Sequence, residues 1–312
     1  MSFVVLCVQG SKERVNVILF GMAVSDTLFL VTALMRKLNC LVSKVDAFAA
    51  DDLSTIMKSH VLVLNILFGR ITTLLIMLIA IERFIAVYLP LKAHYLLTPR
   101  RMIVAVTILY ISATTAMAPA LNLYETVWVY NSQQNRTVPF LKPTQFNLDN
   151  LDFFSFYLDQ FLNFVFRYIP LFLVCLFTAL VVSKLKRSAS WRRRISSTVD
   201  KVKDDDRTTS MLLLVNAIYL ICVIPGTITI TVRFIVPEFD FQGRYANTFN
   251  LIGGFILLFE SCNSSVNFIV YMAMSRRFSA TYKRVFLCRR MPVFKYGESQ
   301  VTHLPSSSGS AP

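Results

Sequence analysis

Five ionisable side chains, Asp26, Arg70, Glu82, Arg83 and Glu260, lie inside stretches of sequence that are otherwise apolar. Charge at such positions is expensive unless it is paired, so each is read as functional. Arg83 has an acidic neighbour in Glu82, and Asp205 and Asp206 stand at the foot of a later apolar stretch. Across a helical bundle these carboxylates could hold Arg83 in a clasp that is either closed or broken, which is what a switch requires. The plainer alternative is an arginine that snorkels to lipid headgroups. No metal-ligand cluster, nucleophile elbow or phosphate-binding loop occurs in the sequence, so an enzyme is not expected.

These charges must be positioned by elements suited to a bilayer. The 312 residues are 55% hydrophobic and only 16% charged, well displaced from soluble globular composition. Nine glycines, 11 prolines and 13% aromatic residues exclude fibrous and disordered classes, and six cysteines are too few for a disulfide scaffold. A net charge of +14 would suggest nucleic acid in a soluble protein. In a membrane protein it marks cytoplasmic loops, and no nucleic-acid partner is expected.

Six stretches are long enough to cross a hydrocarbon core: 15–36, 58–88, 101–122, 160–186, 208–235 and 247–272. Phe3 to Val8 is too short to span and lacks the pattern of a signal peptide. Twenty-one lysines and arginines fall on one side of the spans, with nine of them in 184–207 and seven in 276–296. The opposite side holds nine, counting Arg36, Arg136, Arg167 and Arg233 among its loops. The bias puts the first side, and both termini, in the cytoplasm. Asn135-Arg136-Thr137 is a glycosylation sequon in the long 123–159 loop, on the outer side.

Read in order, the polar motifs resemble the rhodopsin-like (class A) G-protein-coupled receptors over about residues 10–288. Asn16 and the run Leu19 to Asp26 are similar to the family's second helix, with its intramembrane aspartate. Glu82-Arg83-Phe84, followed by Pro90-Leu91-Lys92, is similar to the cytoplasmic end of the third helix. Pro170 and Pro225 stand where the fifth and sixth helices carry kinking prolines. Asn263 to Tyr271 resembles the seventh helix, and Ser275-Arg276-Arg277-Phe278 opens a short amphipathic helix along the membrane. The implied fold is an all-α, rhodopsin-like bundle of six complete spans, helices 2–7 of the family, plus that membrane-parallel helix. Residues 1–288 form the transmembrane domain and 289–312 a short, disordered cytoplasmic tail.

The resemblance implies roles. Glu82, Arg83, Phe84, Asp205, Asp206, Asn267 and Tyr271 would form the switch and the coupling surface. Asp26, Thr72, Asn263, Ser264 and Asn267 would line a hydrated pocket for sodium, since hard cations take oxygen ligands. The alternative is a polar network without an ion. Asn65, Arg70, Val223 and Glu260 fall near the depth of ligand binding, and Arg70 and Glu260 either pair with each other or meet a polar ligand. The partners implied are an extracellular ligand, a heterotrimeric G protein and membrane lipid.

Departures from the family pattern sharpen these expectations. Asn65 replaces the aspartate that amine receptors use, so a biogenic amine is not the expected ligand. Lys58 replaces a bridging cysteine, and 123–159 holds no cysteine to join it. Val223 and Leu109 replace tryptophans, Thr178 a tyrosine and Phe268 a proline. The family's first helix is expected to be missing, because the stretch resembling the second begins at about Arg14. Phe3 to Val8 would be its last turns; Asp26 and Asn267 would then face lipid more closely, and Tyr271 would lose a neighbour. Arg192 to Ser196 reads as a kinase site or a lipid-binding basic cluster, and Cys288 as a palmitoylation site or a plain reduced thiol. The reading is a plasma-membrane receptor of invertebrate peptide or chemosensory type. Its rivals are a truncated or non-signalling receptor relative and a six-span transporter or channel, the latter lacking any internal repeat or pore-type motif in the sequence.

Overall fold

A computed structural model describes residues 14–132, 135–192, 200–236, 238–240, 243–274 and 276–286; for 188–192, 200–208, 276–277 and 286 only the backbone path is described. The described chain is a bundle of long helices with one β-hairpin. Helix α1 is Arg14–Lys37, α2 Ala47–Tyr88, α3 Pro99–Met117, α4 Ile169–Arg192, α5 Asp200–Ile235 and α6 Ala246–Met274, and an 11-residue helix, α7, covers Arg276–Phe286. Six segments are long and apolar enough to cross a membrane: Arg14–Val42, Ala47–Tyr88, Pro99–Asn122, Leu151–Arg187, Thr209–Ile235 and Ala246–Met274. The protein is a multi-pass helical membrane protein.

Two boundaries differ from the sequence expectation for local reasons. Helix α2 starts at Ala47 rather than near 58, because the Asp46 carboxylate accepts from the Phe48 and Ala49 amides at 2.8 and 3.2 Å. The fourth span begins before 160. Two π-helical stretches, Phe156–Phe161 and Phe164–Tyr168, lead into α4. Pro170 has no N–H to give the Phe166 carbonyl, and the turns before it widen.

The 123–159 region is not an irregular loop. Strand β1 (Tyr124–Asn131) pairs antiparallel with β2 (Arg136–Pro143), from Tyr124 opposite Pro143 to Asn131 opposite Arg136. The run Thr126-Val127-Trp128-Val129-Tyr130 is rich in β-branched and aromatic residues, the types that suit a pleated surface. The hairpin is a local addition between two spans, and the membrane-crossing elements are all helical.

Helix α2 is the central element, touching α1, α3, α4, α5 and both strands. Ile71, Leu75, Ile76 and Ile79 are almost fully buried along it. Between helices in lipid, close approach and hydrogen bonds matter more than exclusion of water. Gly21 provides such an approach: a Cβ there would lie 3.0 Å from Val106, and its carbonyl accepts from the Tyr110 hydroxyl at 2.7 Å. Helix α3 is peripheral, burying Met102, Ala113 and Met117 while Ile103, Ile108 and Ile111 face outward. Phe268, where the family pattern has proline, packs against Phe278 and Tyr282 of α7 at centroid distances of 6.0 and 5.6 Å. Asp26 and Asn267 are buried, against the expectation that they would face lipid more closely, and Tyr271 is buried as well. Phe3 to Val8, Cys288 and the 289–312 tail lie outside the described residues.

Candidate functional site

The outer half of the bundle holds a cavity of about 200 Å³. All four predicted ligand-pocket residues, Asn65, Arg70, Val223 and Glu260, line it, together with Arg36 and Arg167. Five helical segments converge there. Helix α1 brings Arg36, α2 brings Asn65 and Arg70, the π-helical turns bring Arg167, and α5 and α6 bring Val223 and Glu260.

Of the two alternatives for Arg70 and Glu260, direct pairing is not the arrangement found. Glu260 faces the Arg167 guanidinium at 3.6 Å, and Arg70 donates instead to the Asn163 amide oxygen. Arg167 also bonds Thr227 at 3.0 Å and approaches the Val223 carbonyl at 3.5 Å. The reason is Gly226, whose missing side chain leaves room for the arginine: a Cβ there would collide with the Arg167 Nη2 and lie 3.0 Å from Ile256. Asn65 accepts from Arg36 at 2.6 Å while donating to the Phe29 carbonyl and Thr32 at 3.1 and 3.0 Å.

One turn inward, Asp26 accepts from Thr72 at 3.1 Å and from the Asn267 amide at 2.9 Å. Ser25 extends this network, its hydroxyl 3.0 Å from Thr72. Asn263 and Ser264 are buried on the same helix as Asn267. The Asn263 and Asn267 amide oxygens and the Tyr271 hydroxyl are buried without a hydrogen-bond partner among the described residues.

At the cytoplasmic end, Arg83 and Glu82 form a two-point pair, through Nε and through Nη2, the latter at 2.6 Å. Arg83 also reaches Thr209 of α5 at 3.4 Å. Glu82 receives a second cation, Arg14, at 3.0 Å. The α5 backbone passes through Asp205 and Asp206, whose side chains lie outside the described residues. Phe84 stacks on Tyr88 at 4.7 Å and meets Phe177 of α4 at 4.9 Å. Thr178 accepts from Asn216 at 3.1 Å, tying α4 to α5.

A family model described as the serpentine type 7TM GPCR chemoreceptor Srw matches residues 11–289. The chain belongs to this Srw family of G-protein-coupled receptors. It is 26% identical over 212 residues to galanin receptor 2b of Danio rerio, covering 67% of this chain and 50% of that protein. It is 30% identical over 121 residues to the sex peptide receptor of Drosophila melanogaster, covering 38% and 27%, and 24% identical over 229 residues to the human histamine H2 receptor, covering 72% and 58%. The chain thus spans about half the length, or less, of these curated relatives.

In this Srw chain the hairpin is fixed to α2 without a disulfide. Arg136 forms a forked pair with Asp52 at 2.7 and 3.2 Å and lies over the Phe48 ring at 4.8 Å, while Ser59 and Thr126 hydroxyls meet at 2.9 Å. Arg136 is the middle residue of the sequon, and Asn135 is exposed at the hairpin turn with φ 50°. Replacing Arg136 with alanine is expected to speed hydrogen exchange over 124–143 roughly tenfold, since a charge-assisted contact is lost, while α2 is unaffected. Unchanged exchange in the hairpin would show that the clamp holds nothing.

Sequence reasoning missed Arg36, Arg167, Asn163, Arg14 and Gly226. Arg167 lies inside the 160–186 stretch, so the rule that singled out Arg70 already applied to it. Asn163 and Gly226 carry no signal of their own in one sequence.

Proposed function

We propose that this chain is a plasma-membrane receptor that carries the binding of an extracellular ligand to heterotrimeric G protein. One observation carries the reading: the charged cavity and the Arg83–Glu82 clasp lie on the same helix. Arg70 and Arg83 are 13 residues apart on α2, about 20 Å at 1.5 Å per residue. A ligand that shifts α2 against its neighbours therefore acts on the clasp directly. The coupling surface comprises Arg83, the 88–100 segment, the basic 184–207 segment and α7. Arg83→Ala is expected to abolish receptor-stimulated nucleotide exchange at normal surface expression. Unchanged exchange would show that Arg83 does not carry the coupling, and no exchange even in wild type would leave a non-signalling member of the family.

The ligand is a peptide or a small polar molecule, not a biogenic amine. Supporting this, Asn65 is occupied by Arg36, Phe29 and Thr32, and the cavity's carboxylate, Glu260, already faces Arg167. Asn135 would carry a glycan outside, and Cys288 a palmitoyl chain inside.

Sodium is proposed to bind beside Asp26. The residues fit: one carboxylate, the Thr72 hydroxyl and two buried amide oxygens without partners give an all-oxygen donor set. Sodium, but not caesium, should raise the melting temperature of wild type, and Asp26→Asn should remove the difference. An identical sodium response in both would leave only a polar network.

A further inference from the structure

We propose that the ligand of the outer cavity presents a carboxylate group, received by Arg70 and Arg36. The proposal rests on the reading of that cavity as the ligand pocket and names the chemistry it takes. Three arginines, Arg36, Arg70 and Arg167, line a space of about 200 Å³ with one acidic side chain, Glu260. Glu260 sits on Arg167. Among the described residues no carboxylate comes within 4.0 Å of Arg36 or Arg70. Both instead donate to neutral amides, Arg36 to Asn65 and Arg70 to Asn163.

That arrangement sets three arginines against one carboxylate and leaves an excess of positive charge at a depth where it is costly. It also fixes the two guanidinium groups. Asn65 is held by Phe29 and Thr32, and Asn163 is buried and donates to the Asp159 carbonyl at 2.8 Å. Each amide takes one of five guanidinium donors, so a fork remains for an incoming group. A carboxylate matches that fork in two parallel bonds and supplies the missing charge. Glu260 facing Arg167 at 3.6 Å is an arginine–carboxylate contact already present in the same cavity, at a single point rather than as a fork. Because the arginines are positioned in advance, little ordering is left for binding to accomplish. The volume suits a carboxylate-bearing fragment rather than a whole peptide, since complete ligand pockets run roughly 300–1,000 Å³. The group could come from a free organic acid or from the acidic end of a peptide.

The test uses the full-length chain in lipid nanodiscs, with melting temperature as the readout. The probes are succinate, its dimethyl ester, and sodium chloride at matched ionic strength. The structure calls for a saturable rise with succinate and none with the ester or the salt. R70Q and R36Q should each weaken the half-saturating concentration at least about tenfold, with R70K falling between R70Q and wild type. Triglycine and triglycine amide form the second arm: a stronger response to the free acid than to succinate assigns the group to a peptide terminus, and a weaker one to a small acid. No rise with either acid, an equal rise with the ester, or wild-type half-saturation in both R70Q and R36Q overturns the proposal. Ligand-free variants that melt near wild type show that folding is intact, and R70K preserves the test if R70Q does not fold. Melting does not depend on G protein. Carboxylate binding without any nucleotide exchange would remove the signalling reading and leave this site, whereas Arg83-dependent exchange without carboxylate binding would remove only this site.

Discussion

Glu82→Gln is expected to raise ligand-independent nucleotide exchange by about tenfold, as a shift of roughly 1.4 kcal/mol between closed and open states would do. Glu82 is 1% exposed and is the point on which two cations meet. Arg83 donates to both of its oxygens, and Arg14 approaches one of them at 3.0 Å. Removing one partner from a buried ion pair typically costs about 3–5 kcal/mol. That cost falls on the closed arrangement, because an opened Arg83 has other acceptors in reach of water or of the G protein. Among the described residues, what remains of the clasp after the substitution is the 3.4 Å contact between Arg83 and Thr209, which is long for a hydrogen bond. Arg14→Gln should act in the same direction but more weakly, because Arg14 is 31% exposed and its charge is partly screened. The measurement is nucleotide exchange on purified G protein with receptor in nanodiscs. Basal exchange at or below the wild-type level in Glu82→Gln would show that this pair does not hold the receptor closed.

The spans and the burial of Asp26, Glu82 and Arg83 were legible in the sequence because their signals are local and strong. A run of about 20 apolar residues broken by one charge has few other readings. The hairpin was not legible in the same way. Its strands alternate weakly, and its anchor is a contact between Arg136 and Asp52, 84 residues apart. The charges of the cavity were legible as residues but not as pairs. Arg70 and Glu260 share a depth and have opposite signs, which made them natural partners. Their actual neighbours were chosen by a widened turn before Pro170 and by the space above Gly226. Neither feature leaves a mark on hydrophobic periodicity. Counting Arg36 and Arg167 among the outer loops hid them for another reason: Arg36 lies near a span end, where depth depends on tilt, and the span holding Arg167 starts at Leu151, before 160, so that Arg167 sits deeper than a loop residue.

A double-mutant cycle should place the cavity's main coupling on Arg167 and Glu260, not on Arg70 and Glu260. The Arg167 and Glu260 side chains are 11% and 28% exposed, so the 3.6 Å contact is shielded from solvent though not dry. A coupling of about 1 kcal/mol or more is expected between Arg167→Gln and Glu260→Gln in reversible unfolding, within the range for residues in contact. Glu260→Gln alone should be the most damaging of the single changes, because it leaves three arginines facing one cavity without a carboxylate. Arg70→Gln with Glu260→Gln should be closer to additive, since Arg70 is held by Asn163. Gly226→Ala supplies an independent check of the geometry. Its Cβ would occupy the place of the Arg167 Nη2, with Ile256 at 3.0 Å closing the other side, so Arg167 must leave its position. The alanine variant should therefore reproduce the effect of Arg167→Gln, and adding Glu260→Gln to either should give the same further change. If the larger coupling falls on Arg70 and Glu260, or if Gly226→Ala leaves the Arg167–Glu260 coupling at its wild-type size, the pairing described for this cavity is wrong.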